Sequence, residues 1–163
     1  MSFPFVHDWF AATAANHSDS IAIDAGAETL TYSELERRAN GLAHALVDAV
    51  PPGTLVGILT DDRVQVIAAM IATLNAGCAF VPMDPANGEA RVATLVDEID
   101  LAWWVADTAV MPRLSAIAQR SGRSFRVLCS DARGAATSMG ISIIARIPDM
   151  FAFRKMPFNG NAA

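Results

Sequence analysis

The chain has 163 residues and a mass of 17.3 kDa, room for one domain with a buried core. It is 53% hydrophobic and 18% charged, with a mean hydropathy of +0.32, which excludes a disordered polypeptide. Twelve basic against 17 acidic residues leave a net charge of −5 without a Lys/Arg cluster, so no nucleic-acid partner is expected.

The chain opens Met1-Ser2-Phe3-Pro4-Phe5-Val6-His7-Asp8, without the basic start of a secretory signal. A helix is predicted over Val6 to Ala15. Ile21-Ala22-Ile23 and Thr29-Leu30, joined by Ala25-Gly26-Ala27-Glu28, read as a small hairpin. Thr31-Tyr32-Ser33-Glu34 then has the form of a capping box. Threonine at the N-cap and glutamate at N3 each satisfy a backbone N–H that the first helical turn leaves unpaired. Leu30 and Leu35 add a hydrophobic staple. Leu35, Ala39, Leu42, Leu46 and Val50 form one apolar stripe, with Glu36, Arg37, Asn40, His44 and Asp48 on the opposite face. Pro51-Pro52-Gly53 ends that helix.

A rhythm follows. Leu55 to Leu59 reads as a buried strand, and Asp61 and Asp62 as caps of the next helix. Val64, Ile67, Met70, Ile71 and Leu74 give that helix its expected apolar face. Gly77 stands where a left-handed residue ends it. Ala79-Phe80-Val81 is a second strand. Val64 to Met83 is uncharged and long enough to cross a bilayer, but Asn75-Ala76-Gly77 breaks it and Pro82 stands near its end. It reads as a buried helix and a buried strand, and no membrane partner is expected. A helix carrying Val92, Leu95, Val96 and Ile99 follows, then a strand from Leu101 to Ala106, a helix from Leu114 to Gln119 and a strand from Phe125 to Cys129. Strands without alternation, separated by amphipathic helices, predict an α/β fold. It is a partial Rossmann-like parallel sheet with helices on both faces, preceded by the small helix and hairpin.

After Gly134 the composition changes. Residues 1–134 hold 9 arginines and 16 acids, whereas residues 135–163 hold 3 basic residues and 1 acid. The later stretch also contains the only lysine, Lys155. A boundary is expected there, with 135–163 a divergent and poorly ordered tail.

Two segments carry a family resemblance. Leu30-Thr31-Tyr32-Ser33-Glu34-Leu35 resembles the first core motif of the adenylate-forming (AMP-binding) enzymes. Leu74-Asn75-Ala76-Gly77-Cys78-Ala79-Phe80-Val81-Pro82-Met83-Asp84 resembles the second, with Asn75 in place of the usual lysine and Met83 in place of an aliphatic residue. Arg38-Ala39-Asn40-Gly41-Leu42-Ala43 and Val56-Gly57-Ile58 are similar too. Val81-Pro82-Met83-Asp84-Pro85 and Arg91 bring the chain nearest to nonribosomal peptide synthetase adenylation domains. The resemblance spans residues 5 to 130. It implies the reaction of a carboxylic or amino acid with ATP, giving acyl-adenylate and pyrophosphate, then transfer to a thiol, with ATP and Mg2+ as the family's cofactors.

The reacting parts of that family have no counterpart here. Its phosphates lie in a Ser/Thr/Gly-rich loop ending in Pro-Lys-Gly. The nearest stretch, Gly134-Ala135-Ala136-Thr137-Ser138-Met139-Gly140, has no Pro-Lys-Gly and reads as a plain loop. Lys155 matches no family motif. His7, His17 and His44 are scattered and form no metal pattern. There is no G-x-S-x-G, G-x-G-x-x-G or P-loop. Asp61-Asp62 read as caps rather than a catalytic pair, and Trp103-Trp104 as sheet packing rather than a ligand pocket. Cys78 and Cys129 read as small core hydrophobes of a cytoplasmic protein.

The expectation is therefore no catalytic, cofactor or metal residue in this chain. Residues 1–134 are expected to be an incomplete N-terminal portion of an adenylation domain, inactive alone. They would pack on the missing remainder or self-associate. The alternatives are an interaction module that complements a separately encoded remainder, and a small nucleotide-binding protein.

Overall fold

The computed structural model of the chain describes residues 5–131 and 140–146. It begins with α1 (Val6–Asn16), the antiparallel strands β1 (Ile21–Asp24) and β2 (Thr29–Thr31), and α2 (Tyr32–Ala49). An alternation follows: β3 (Leu55–Leu59), α3 (Arg63–Asn75), β4 (Ala79–Pro82), α4 (Glu89–Glu98), β5 (Trp103–Ala106), α5 (Met111–Ser121), β6 (Phe125–Cys129) and β7 (Ile141–Arg146). Strands β3 to β7 form one parallel sheet in the order β4-β3-β5-β6-β7.

The capping box forms as its spacing requires. Thr31 Oγ1 accepts from the Glu34 N–H at 3.3 Å, and the Glu34 carboxylate accepts from the Thr31 N–H at 2.9 Å. The Thr31 N–H first, and then the Thr31 hydroxyl donating to the same carboxylate at 3.1 Å, hold Glu34 below the usual carboxylate range. Leu30 and Leu35 are buried in one small cluster with Val64 and Ala68, against which Phe10 of α1 packs. The predicted stripe from Leu35 to Val50 is buried throughout. The opposite stripe differs from expectation, because only Asp48 of its five residues is exposed. The hairpin and α3 both pack on α2, so its polar residues are shared between elements. Asn40 accepts from the Asn75 amide of α3 at 3.3 Å, and Arg38, 7% exposed, pairs with Glu28 of the hairpin turn.

Helix α3 is capped at both ends. Asp62 accepts from the N–H groups of Val64 and Gln65 at 2.9 and 3.2 Å. Gly77 takes φ +70°, and the N–H groups of Gly77 and Cys78 reach back to the carbonyls of Leu74 and Thr73. That paired closure is what a left-handed glycine permits. The buried face of α3 matches the predicted one only in part. Val64, Ala68, Ala69, Ala72 and Thr73 are buried, Met70, Ile71 and Leu74 are half-buried, and Ile67 is 37% exposed. Small residues win the core face because they let α3 approach α2, whose own contact residues include Ala39 and Ala43.

Two cores lie on the two faces of the sheet. One, under α2 and α3, contains Val56, Ile58, Val105 and Leu128 with the alanines of both helices. The other, under α4 and α5, contains Leu101, Trp104, Met111, Leu114, Ile117 and Phe125. The Trp104 ring lies over Gly57, where an added Cβ would come within 2.5 Å of it. The glycine of Val56-Gly57-Ile58 is thus required by its neighbour on β5.

Other boundaries shift modestly. The strand predicted from Leu101 starts at Trp103, and α5 extends from Met111 to Ser121, ended by Gly122 at φ +67°. Strand β4, read as buried, is a sheet edge with Ala79 and Pro82 exposed. The sheet also gains β7, an element not read from the sequence. It runs parallel to β6 with a register shift between Val127 and Leu128. The boundary expected at Gly134 and most of the expected tail lie outside the described residues. Among the described residues no helix is long and apolar enough to cross a membrane.

Candidate functional site

In an open parallel sheet, ligands enter at the carboxyl ends of the strands where the chain reverses direction. Here that point lies between β3 and β5: the chain steps from β3 out to β4, crosses back to β5, and continues to β6 and β7. Four strands release the chain into aspartates at this edge. Asp61 and Asp62 follow β3, Asp84 follows β4, Asp107 follows β5 and Asp131 follows β6.

All of these except Asp61, which is exposed, hold local structure. Asp62 caps α3. Asp84 accepts from the Ala86 N–H at 2.8 Å, closing its own turn. Asp107 accepts from the Val110 N–H at 3.1 Å, at the start of α5, and from the hydroxyl of Thr60. Thr60, 2% exposed, accepts in turn from the Asp62 N–H at 3.1 Å. Asp131 accepts from the Thr108 N–H at 2.9 Å, from the Thr108 hydroxyl and from the Cys129 thiol at 3.1 Å. Burial raises the Asp131 pKa, but the Thr108 and Cys129 bonds outweigh it and hold the carboxyl below its ordinary range.

Asp131, held ionised by its donors, is a weak base, and the hydroxyls of Thr60 and Thr108 and the Cys129 thiol spend their protons on Asp107 and Asp131 rather than standing as activated nucleophiles. A row of carboxylates also repels a triphosphate, which needs converging N–H groups and a cation. The described residues therefore do not fit the nucleotide that the family uses, and no reaction step is derived through it. Of the stretch Gly134 to Gly140, only Gly140 lies within the described residues. Its carbonyl accepts from the Phe125 N–H at 2.8 Å, and an added Cβ would sit 3.3 Å from Ala118 Cβ, so this residue serves packing.

The other sequence candidates are not brought together. His7 stacks on Phe5 at 5.5 Å, His17 caps the end of α1, and His44 lies half-buried on α2. Among the described residues no three His, Cys, Asp or Glu could hold a metal ion. Cys78 and Cys129 are buried thiols, that of Cys129 donating to Asp131, and burial pushes the Cys78 thiol up. Trp104 is fully buried, 5.1 Å from Phe125, and Trp103 carries the guanidinium of Arg126 at 5.0 Å over its ring. The sheet-packing reading of both tryptophans holds. Lys155 lies outside the described residues. Sequence reasoning missed the Thr60–Asp107 and Thr108–Asp131 pairs and the fork of Arg113 on the carbonyls of Pro85 and Asn87. Their partners stand 23 to 47 residues apart, and only the strand order joins them.

A five-stranded parallel sheet with helices on both faces defines the class as an open, doubly wound α/β fold. Residues 10–146 match the model of the AMP-binding enzyme family, and the chain belongs to that family. One of the linear gramicidin synthase proteins of Brevibacillus parabrevis is 45% identical over 98 residues, 60% of this chain and 1% of that protein. Surfactin synthase subunit 1 of Bacillus subtilis is 37% identical over 94 residues, 57% of this chain and 3% of that protein. Among solved structures, IdnL7 superposes with a TM-score of 0.71 at 28% identity, covering 86% of this chain and 27% of that one. A benzoate CoA ligase from Burkholderia xenovorans shares the fold at a TM-score of 0.65 and 20% identity, over 74% of this chain and 25% of that one. The chain thus spans a few per cent of these curated relatives and about a quarter of these solved chains.

Proposed function

We propose that these 163 residues supply the N-terminal portion of an adenylate-forming ligase of the peptide-synthetase adenylation type, and do not activate an acid by themselves. The observation that carries this reading is the carboxyl edge. Where the family fold would meet a nucleotide, the aspartates that make bonds are committed to capping and turn closure, and no Pro-Lys-Gly loop follows in the sequence. In this reading ATP and Mg2+ are held by the remainder of the enzyme, on which residues 1–134 pack, and the assembled enzyme works in the cytoplasm.

The test is acid-dependent exchange of pyrophosphate into ATP. The chain alone is expected to give background exchange with amino and aryl acids. Mixing it with a separately produced adenylation-domain remainder, beginning at the phosphate loop, is expected to restore exchange. Exchange by the chain alone overturns the reading. Saturable ATP binding without exchange favours a nucleotide-binding module instead.

A further inference from the structure

The loop from Met83 to Gly88 and helix α5 are distant in sequence, yet one side chain joins them. Arg113, in the first turn of α5, donates through its two terminal nitrogens to the main-chain carbonyls of Pro85 and Asn87. Within the loop, the Asp84 side chain accepts from the Ala86 N–H, and its carbonyl accepts from the Asn87 N–H at 3.0 Å. The Gly88 carbonyl then accepts from the N–H groups of Arg91 and Val92, at 3.0 and 3.2 Å, as α4 begins.

We propose that Arg113 is a latch: its fork on the Pro85 and Asn87 carbonyls fixes this loop and thereby sets the spacing between the N-terminal ends of α4 and α5 at the sheet's carboxyl edge. Three observations support the role. The N-cap of α4 is Gly88, which has no side chain to cap with, so the loop itself must hold the helix start. Apart from the buried Met83, the loop offers little to the core: Asp84, Ala86 and Gly88 are exposed and Pro85 and Asn87 half-buried. Finally, Nε of Arg113 is buried without a partner, a cost that only well-made bonds at the other two nitrogens offset. A planar guanidinium can meet two carbonyls of one loop together, whereas an ammonium is a single compact point charge. The loop is accordingly a fixed part of the sheet's carboxyl edge, and not a lid that opens.

Native-state amide exchange on the full 163-residue chain tests this. In Arg113→Lys, which keeps most of the aliphatic stem, the amides of Asn87, Arg91 and Val92 are expected to exchange about tenfold faster or more, while those of β5 and β6 are unchanged. In Arg113→Gly, millimolar methylguanidinium is expected to restore their protection. The proposal is overturned if lysine protects the loop as well as arginine does. It is equally overturned if exchange rises uniformly through the loop, β5 and β6, or if methylguanidinium restores nothing in a folded Arg113→Gly chain.

Discussion

The two faces of the one sheet are built on opposite principles. Under α2 and α3 the core is made by subtraction: Ala39, Ala43, Ala69, Ala72 and Ala76 bring backbones close, and the bulkier side chains of α3 lie half outside. Under α4 and α5 it is made by volume, with Trp104, Phe125, Met111, Leu114 and Ile117 filling the space. Gly57 belongs to β3, the strand both cores share, and yields its side-chain space to Trp104. One face is therefore sensitive to added atoms, the other chiefly to removed ones.

The largest expected effect breaks the voluminous face. Trp104→Ala should lose roughly 3–5 kcal/mol of unfolding free energy, read from urea titration, as for other buried large-to-small changes. Next comes the point where the faces meet. Gly57→Ala should cost about 1–3 kcal/mol through the clash with Trp104, and Trp104→Leu in the same chain should recover part of that loss. Independent additivity of the two changes would mean the contact is not limiting. Thr31→Ala, at the N-terminus of α2, should cost about 1 kcal/mol, and a change under a few tenths would mean that the capping box is not formed. The pH term is smaller. Asp131 has a folded pKa below its unfolded one, so its contribution is present above the unfolded value and is lost as pH falls through the folded one. Asp131→Asn should therefore flatten the acid limb of a stability–pH profile, below the ordinary carboxylate range. Smallest of all, Ile67→Ser on the outer side of α3 should change stability by no more than about 0.5 kcal/mol, which separates the observed face from the predicted one.

What the sequence revealed depended on how local each signal was. The capping box, the Asp62 cap and the Gly77 closure involve residues within a turn of each other, and each appeared at its predicted position. The order of βα units was legible for the same reason. The face of α3 was legible only in part, because both arcs are apolar, and only the closeness of α2 decides that alanine rather than isoleucine turns inward. Strand β7 escaped because Ile141 to Arg146 follows a compositional break, and its identity as a strand depends on β6 beside it. At the candidate site the aspartates were visible singly. Their pairings with Thr60 and Thr108, and the reach of Arg113, exist only once distant strand ends are aligned.

The strand order also governs how the chain can be assembled over time. Strands β3 and β4 pair directly through the α3 crossover, so a nascent chain that has emerged as far as Pro82 already contains a complete parallel pair. Strand β5 must then add to the opposite side of β3, after α4 has traversed it. Loop closure makes such reversal the slower event, because its contacts reward the chain only after the crossover is ordered. The β3–β5 pairing is thus the longest reach in the sheet, joining Val56 to Trp103 across 47 residues where β3 and β4 join Leu55 to Ala79 across 24.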